Sequence, residues 1–439
     1  MTAADFLLLD TLGFLSGNLG PPIMTGCFTP HWLTYIVVYH RHEDEVMDIQ
    51  PVTIVGGGIT GLTLAQALWQ HDYPWTIYEA RSEKAYDGGA ALAMAPNAMG
   101  ILRRLGLAEA ITDAGSRIDH YLFVTPSGLP LKSISLPKIS GAWNESSWAV
   151  PRSHILRTLA AQLPPDQLHY QHPVTEIRTQ GTDIRLTIQG GESVLTPLVI
   201  GADGAHSQVR DSLWTNLKPP QYQGFVAIRG VAEVDLPTKC QHAVIQVWGG
   251  AGEFGFSPLG KGKVYWFATL PWNDVENPPA AEQFYHHFHR WFDPIGSLMR
   301  TTMPEEILIH PIFDRLEAFP VPESPVTLIG DAAHLMTPNT GQGACQGMVD
   351  AFVLAQELNS SRDAHRALMR YRERRLESAL TVARRSHRLG QLIHLPMPAW
   401  IKMSILRAIP TSVVLSTMKK VVGDPRSLEG RQVILPGQL

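Results

Sequence analysis

Hydrophobic residues along this chain fall into two kinds of run, and the two kinds divide it. Continuous apolar runs occur at Val52-Thr53-Ile54-Val55, Trp75-Thr76-Ile77-Tyr78 and Val326-Thr327-Leu328-Ile329. That is the pattern of strands buried on both faces of a parallel sheet. Tyr121 to Leu136 alternates instead and is broken by Pro126-Ser127-Gly128, which predicts a hairpin leaving that sheet. Strands are expected at Thr175 to Arg178, Ile184 to Ile188 and Val194 to Ile200, the last delivering the loop Gly201-Ala202-Asp203-Gly204. Three β-rich runs, Phe225 to Val234, His242 to Trp248 and Val264 to Leu270, predict an antiparallel sheet. Gly88 to Ala98 reads as a loop. Helical periodicity covers Met99 to Leu107, Arg152 to Leu163, Ala281 to Phe292 and Asp363 to Arg388, the last with an arginine cluster read as a solvated face.

The first apolar run enters Gly56-Gly57-Gly58-Ile59-Thr60-Gly61, and Glu79 closes the second, roughly 20 residues on. Strand, glycine turn, helix and acid in this order bind a dinucleotide. Gly56 makes the tight turn, Gly58 lets the main chain approach a pyrophosphate, and Gly61 lets helix and strand pack closely. The phosphates then rest on the helix N-terminus beside Ile59 and Thr60, and Glu79, followed by Ala80 and Arg81, takes the ribose hydroxyls.

Composition narrows the partners. With 439 residues, 44% hydrophobic and 17% charged, the chain is long enough for two or more domains, and dominant disorder is excluded. A net charge of −4 gathers no nucleic acid, so a small-molecule substrate is expected. The three cysteines, Cys27, Cys240 and Cys345, argue against a disulfide framework and a zinc site, and they fit a cytoplasmic protein without a metal. Residues 1–46 carry an interrupted apolar run and no basic n-region. They read as a poorly ordered extension or a mis-assigned start, with a docking tail as the alternative. No stretch is long enough for a membrane span, although the apolar segment Pro396 to Val422, ending in Lys419-Lys420, leaves a peripheral lipid contact open.

A second motif follows the third apolar run. Gly330-Asp331 ends that strand, and Pro338 leads to Gly341-Gln342-Gly343-Ala344, which opens another helix. Asp331 can accept from ribityl or ribose hydroxyls, while the amides around Gly341 to Ala344 face a flavin ring.

With these motifs the chain, over residues 51–395, resembles the FAD-dependent monooxygenases of the p-hydroxybenzoate hydroxylase class (class A). Gly201 to Arg210 resembles that family's Asp-Gly motif, which puts Asp203 at FAD and nicotinamide. Arg152 falls at its FAD-contacting arginine, and Gly330-Asp331 through Gly343 on its ribityl motif. Gly89 to Ala98 resembles a further family loop, with Ala91-Leu92 in place of the usual Gly-Ile, and Val349 replaces a frequent glutamate.

The implied fold is α/β: a discontinuous Rossmann-like FAD domain (47–118, 150–221, 312–395), an inserted, mostly antiparallel substrate sheet (119–149, 222–311) and a helical C-terminal segment (396–439). The implied activity is insertion of one atom of O2 into a small aromatic or unsaturated substrate through a flavin C4a-hydroperoxide, with NADH or NADPH as transient reductant and a monomer or homodimer as the working form. Arg229, Trp248, Phe256, Tyr265, Met336 and Pro338 are candidates to line the substrate. No catalytic base stands out, and His334 reads as a structural histidine bonded to main chain. A reductase, oxidase or halogenase of the same fold and a non-catalytic nucleotide binder are the alternatives; the Trp-x-Trp-x-x-Pro signature of halogenases is missing.

Overall fold

The computed structural model describes residues 23–24, 37–38, 50–250, 252–321, 324–361 and 363–428, and separates into the units Met1–Ile49 and Gln50–Leu439. In the first unit, Ile23–Met24 pairs antiparallel with Val37–Val38. The expectation of a poorly ordered extension otherwise lies outside the described residues.

The second unit is mixed α/β, as the apolar patterning implies. Its nucleotide-type sheet is wholly parallel, in the order Leu168–His169, Trp75–Tyr78, Val52–Val55, Leu198–Gly201, Val326–Leu328. Its central strands are buried because helices cover them. The helix Ile59–Trp69 is apolar around nearly its whole circumference, as a helix enclosed by sheet and neighbours must be, and packs against the helix Gly343–Asn359.

The chain leaves this sheet to build a seven-stranded one, ordered Leu308–Asp314, Gln221–Glu233, Lys263–Pro271, Gly252–Gly260, Ala243–Gly249, His120–Val124, Pro130–Ser135. All its pairings are antiparallel except that of Ala243–Gly249 with His120–Val124. Strand alternation gives it two faces. Val226, Ile228, Ile245, Val247, Phe254, Phe256, Trp266 and Ala268 point one way, into a core closed by Phe284, Phe288, Ile295 and Leu298 of the helices Ala281–Phe288 and Ile295–Thr301. Each such fully buried side chain contributes about 1.5–3 kcal/mol of hydrophobic stabilisation.

Several elements differ from the sequence reading. The segment read as a loop at 88–98 holds a strand, Ala91–Met94, paired with Ser147–Pro151, and its helix starts at Pro96, whose fixed φ suits a first helical turn. The helix expected over 281–292 ends at Phe288, with a separate helix following at Ile295–Thr301, and Pro396 to Val422 forms Ala399–Ala408 and Thr411–Val422, broken at Pro410. Both pack on the body through Leu406 and Val421. The helix Ala364–His394 is no simple solvated face: Arg370 and Arg374 pair with Glu357, Arg372 lies over the Phe319 ring, and Arg375 is buried against Asp350. Among the described residues no helix is long and apolar enough to cross a membrane.

Candidate functional site

A groove of about 650 Å³ opens at the C-terminal ends of three adjacent parallel strands, where α/β sheets bind ligands. Gly56, Gly58, Ile59, Thr60, Glu79, Ala80, Arg81, Arg152, Asp203, Asp331, Gly343 and Ala344 all line it. Seven of these come from the glycine turn and its acid segment, and the rest from distant segments brought together by the parallel order. Leu92, His206 and Gln208 of the two family-like loops line it as well, and so do Pro173 and Val174, which were not foreseen because only tertiary packing brings them there.

The three glycines differ in what surrounds them. Gly56 has φ +106°, and a Cβ on Gly61 would stand 2.0 Å from Gly56 O, so the helix touches the strand end directly. A Cβ on Gly58 would meet nothing within 4 Å, which leaves open room where the main chain faces the groove. The helix that follows has no side-chain cap and no acid in its first turn, so its leading amides remain available to an anion. Glu79 accepts from Gly57 N at 2.7 Å and from Arg81 N at 2.8 Å, and Tyr86 donates to Gly57 O at 2.5 Å. The turn is thereby fixed from both sides.

Asp203 accepts from Val209 N at 3.1 Å through Oδ2, while its buried Oδ1 has no partner. Burial pushes its carboxyl upward, as it does for Asp331 across the groove. A lone buried acceptor on a groove wall suits a ligand hydroxyl. The burial pushes Arg152 downward, with Arg81 adding to it.

Behind Asp331 lies a closed ionic network. Asp350 accepts from Gly330 N at 3.0 Å and from His334 Nε2 through Oδ2, and from Arg375 Nε at 2.8 Å through Oδ1. Arg375 also donates to Gln346 at 2.7 Å. Burial alone would raise the Asp350 carboxyl, but His334 and Arg375 outweigh it and hold it at about 2. His334 is therefore structural, held by a side-chain carboxylate rather than by main chain as expected. Gly330 belongs to this network, and Gln342 accepts from Asn97 Nδ2 at 3.0 Å. Pro338 and Gly341 bound the turn Pro338–Thr340; none of these four lines the groove.

The second face of the seven-stranded sheet turns toward this turn and the helix Ala364–His394. On it lie Arg229, Tyr121, Tyr265, Phe267, Gln246, Trp248 and Glu253, with Tyr121, Tyr265 and Arg229 half-buried. Glu253 is only 2% exposed. It accepts from Gln246 Nε2 at 2.5 Å and, at 3.4 Å, from Asn339 Nδ2 in the turn Pro338–Thr340. Burial pushes its carboxyl up to about 7 against these hydrogen bonds. Nothing in the sequence reading pointed to Glu253: it lies between the runs His242 to Trp248 and Val264 to Leu270, on the strand Gly252–Gly260, which was not expected.

Two substrate candidates do not belong to this face. Phe256 points into the opposite core, near Phe292, because alternation places it with Phe254. Met336 is buried with Val382, Ala383 and Val421. Trp248 is on the face but is covered by Ile393 and Leu406. Among the described residues no cluster is arranged to hold a metal.

Comparison with known proteins agrees with this geometry. A family model described as FAD binding domain matches residues 50–386. Aurachin C monooxygenase/isomerase of Stigmatella aurantiaca is 32% identical over 367 residues, covering 83% of this chain and 95% of that protein. 3-amino-4-hydroxybenzoate 2-monooxygenase PtnB3 of Streptomyces platensis is 32% identical over 357 residues, covering 79% and 89%. Among solved structures, Klebsiella pneumoniae HpxO complexed with FAD and uric acid has the same fold at a TM-score of 0.77 and 22% identity, covering 85% of this chain and 96% of that one.

Proposed function

The chain belongs to the FAD binding domain family, and we propose that it works as an FAD-dependent monooxygenase, taking electrons from NADH or NADPH and inserting one atom of O2 into a small aromatic or unsaturated molecule. The observation that carries this reading is the convergence of the glycine turn, Glu79, Arg152, Asp203, Asp331 and the Gly343-Ala344 helix start on one groove. Its chemistry fits FAD: open main chain at Gly58 for the pyrophosphate, and acceptors at Glu79, Asp203 and Asp331 for hydroxyls. Bound FAD supplies the redox chemistry, storing two electrons and activating O2.

The residues of the chain bind, orient and exclude water. Gly343 and Ala344 bring a helix N-terminus into the groove, which favours a reduced, anionic ring. The Asp350 network locks Gly330 and so fixes Asp331 beside it. The substrate belongs between the groove and the sheet face that carries Arg229, Tyr265 and Glu253, since ligand sites favour such interfaces. Arg229 and the aromatic side chains there support an aromatic substrate.

The test is anaerobic flavin reduction by NADH and by NADPH across phenols, polyketides and terpenoids, followed by turnover under 18O2. Substrate-accelerated reduction and one 18O atom per product are expected. Asp203→Ala slows reduction and Asp331→Ala lowers FAD content. Hydrogen peroxide in full stoichiometry with no labelled product from any compound would make the protein an oxidase instead.

A further inference from the structure

Between residues 378 and 423 the chain holds seven lysines and arginines and not one aspartate or glutamate, although its net charge is −4. The same stretch leaves four large apolar side chains exposed, Leu395, Trp400, Ile405 and Val413, with Trp400 66% exposed. In the helix Ala399–Ala408 the period turns Lys402 and Leu406 to the body, so Trp400, Arg407 and Ala408 are left facing solvent. The inner side is firmly tied. Lys402 Nζ donates to the carbonyls of Gly250 and Ile393, and Lys132 Nζ, on the edge strand Pro130–Ser135, donates to Ile409 O where this helix meets Thr411–Val422. Both helices are therefore fixed to the sheet edge with an apolar and cationic side outward.

Against the second helix lies a cavity of about 670 Å³ that shares no lining residue with the flavin groove. Lys419, Lys420, Ser412 and Ser416 supply its cations and hydroxyls, and Ile139 and Leu415 its apolar lining. Asp424, the acid among its lining residues, is held by Arg426 at 2.6 Å. Lys419, Lys420 and Arg407 are exposed and make no ion pair among the described residues. A helix dipole favours lysines in a last turn. It accounts for neither the serine hydroxyls beside them nor the bare indole of Trp400 on the preceding helix.

We propose that this face docks the protein on a bilayer that contains anionic lipids. A headgroup phosphate enters the cavity, where Lys419 and Lys420 neutralise it, the hydroxyls of Ser412 and Ser416 donate to it, and Ile139 and Leu415 meet the first carbons of the acyl chains. Trp400, Ile405 and Val413 enter the interfacial layer, the depth at which an amphipathic indole is most at home. The protein lies on the surface, since among the described residues no helix is long and apolar enough to cross it. Charge complementarity selects the occupant: cations without an intervening acid match a continuous negative surface, whereas the rim of a protein partner carries both signs. This inference is independent of the flavin chemistry.

The full chain is floated with vesicles of phosphatidylcholine alone or mixed with phosphatidylglycerol, at low and at high salt. Wild type is expected to float with the mixed vesicles only, and less at high salt, because the attraction is screened. Replacing both lysines, Lys419→Gln with Lys420→Gln, lowers the partition coefficient about 30-fold, each lysine near an anionic surface being worth about fivefold. Trp400→Ser lowers it as well, and melting temperature and FAD content match wild type in both variants. Excess glycerol 3-phosphate leaves the bound protein in place. Four results would overturn the proposal: no flotation of wild type with either vesicle, equal flotation with both, a lysine variant that floats like wild type, or release by glycerol 3-phosphate, which would make the cavity a site for a soluble anion. If the lysine variant does not fold, Trp400→Ser decides in its place, and wild-type flotation of that variant overturns docking.

Discussion

Replacing Asp350 tests the network behind the flavin loop most severely. Its carboxylate is fully buried and serves three donors: Gly330 N, His334 Nε2 and Arg375 Nε. Asp350→Leu leaves the Arg375 guanidinium, 6% exposed, without its counter-ion, and breaking one side of a buried pair costs about 3–5 kcal/mol. For a chain of this size that is a drop in melting temperature of roughly 3–6 °C. Adding Arg375→Met removes the stranded charge, so the double variant recovers a large part of the loss. The pH dependence has a definite sign. The native carboxyl is held at about 2 against an ordinary 3.8, so its stabilisation is present above 3.8 and is lost as pH falls through 2. That difference amounts to about 2 kcal/mol. Thermal melts read by far-UV circular dichroism and flavin release provide the assay. An Asp350→Leu variant that melts with wild type, or a double variant less stable than the single, would refute the reasoning.

Three further outcomes follow from the same geometry. Gly61→Ala drives a Cβ to 2.0 Å from Gly56 O, so it costs about 1–3 kcal/mol of stability and weakens FAD binding together; a normal melt with normal FAD affinity contradicts it. Gly58→Ala meets no protein atom, so the apoprotein melts as wild type while the FAD dissociation constant rises, and equal affinity in a titration counts against pyrophosphate passing there. Glu253, raised from 4.5 to about 7, gives stability that is fully present below 4.5 and is lost as pH rises through 7, about 3 kcal/mol in all. Denaturant titrations at several pH values should show Glu253→Gln lacking that decline, and a parallel decline in both proteins would exclude it.

Local chemistry was legible in the sequence and packing was not. The strand ending at Val55, the turn of Gly56 to Gly61 and the acid at Glu79 lie within one βαβ unit, so spacing alone carries them. Asp331 and Gly343 were readable because a strand end and a helix start stand close together on one stretch of chain. Leu168–His169, a two-residue strand, holds too few residues to show a period. In Gly252–Gly260, alternation separates Phe254 and Phe256 from Glu253, Gly255 and Ser257. It cannot say which set faces the cofactor, because that is decided by the helices Ala281–Phe288 and Ile295–Thr301 covering the other side. Phe256 was misplaced for this reason, and Glu253 passed unnoticed. Arg375 looked solvated because its partner, Asp350, lies on a different helix.

The central claim is that segments far apart in the chain converge on one flavin. Titration of the apoprotein with FAD, followed by flavin fluorescence, tests it most directly. Saturation at about one FAD per chain in wild type, with a clearly weaker endpoint in Asp331→Ala and in Glu79→Ala, is the predicted result. A folded wild-type protein that leaves the fluorescence of added FAD unchanged would contradict it.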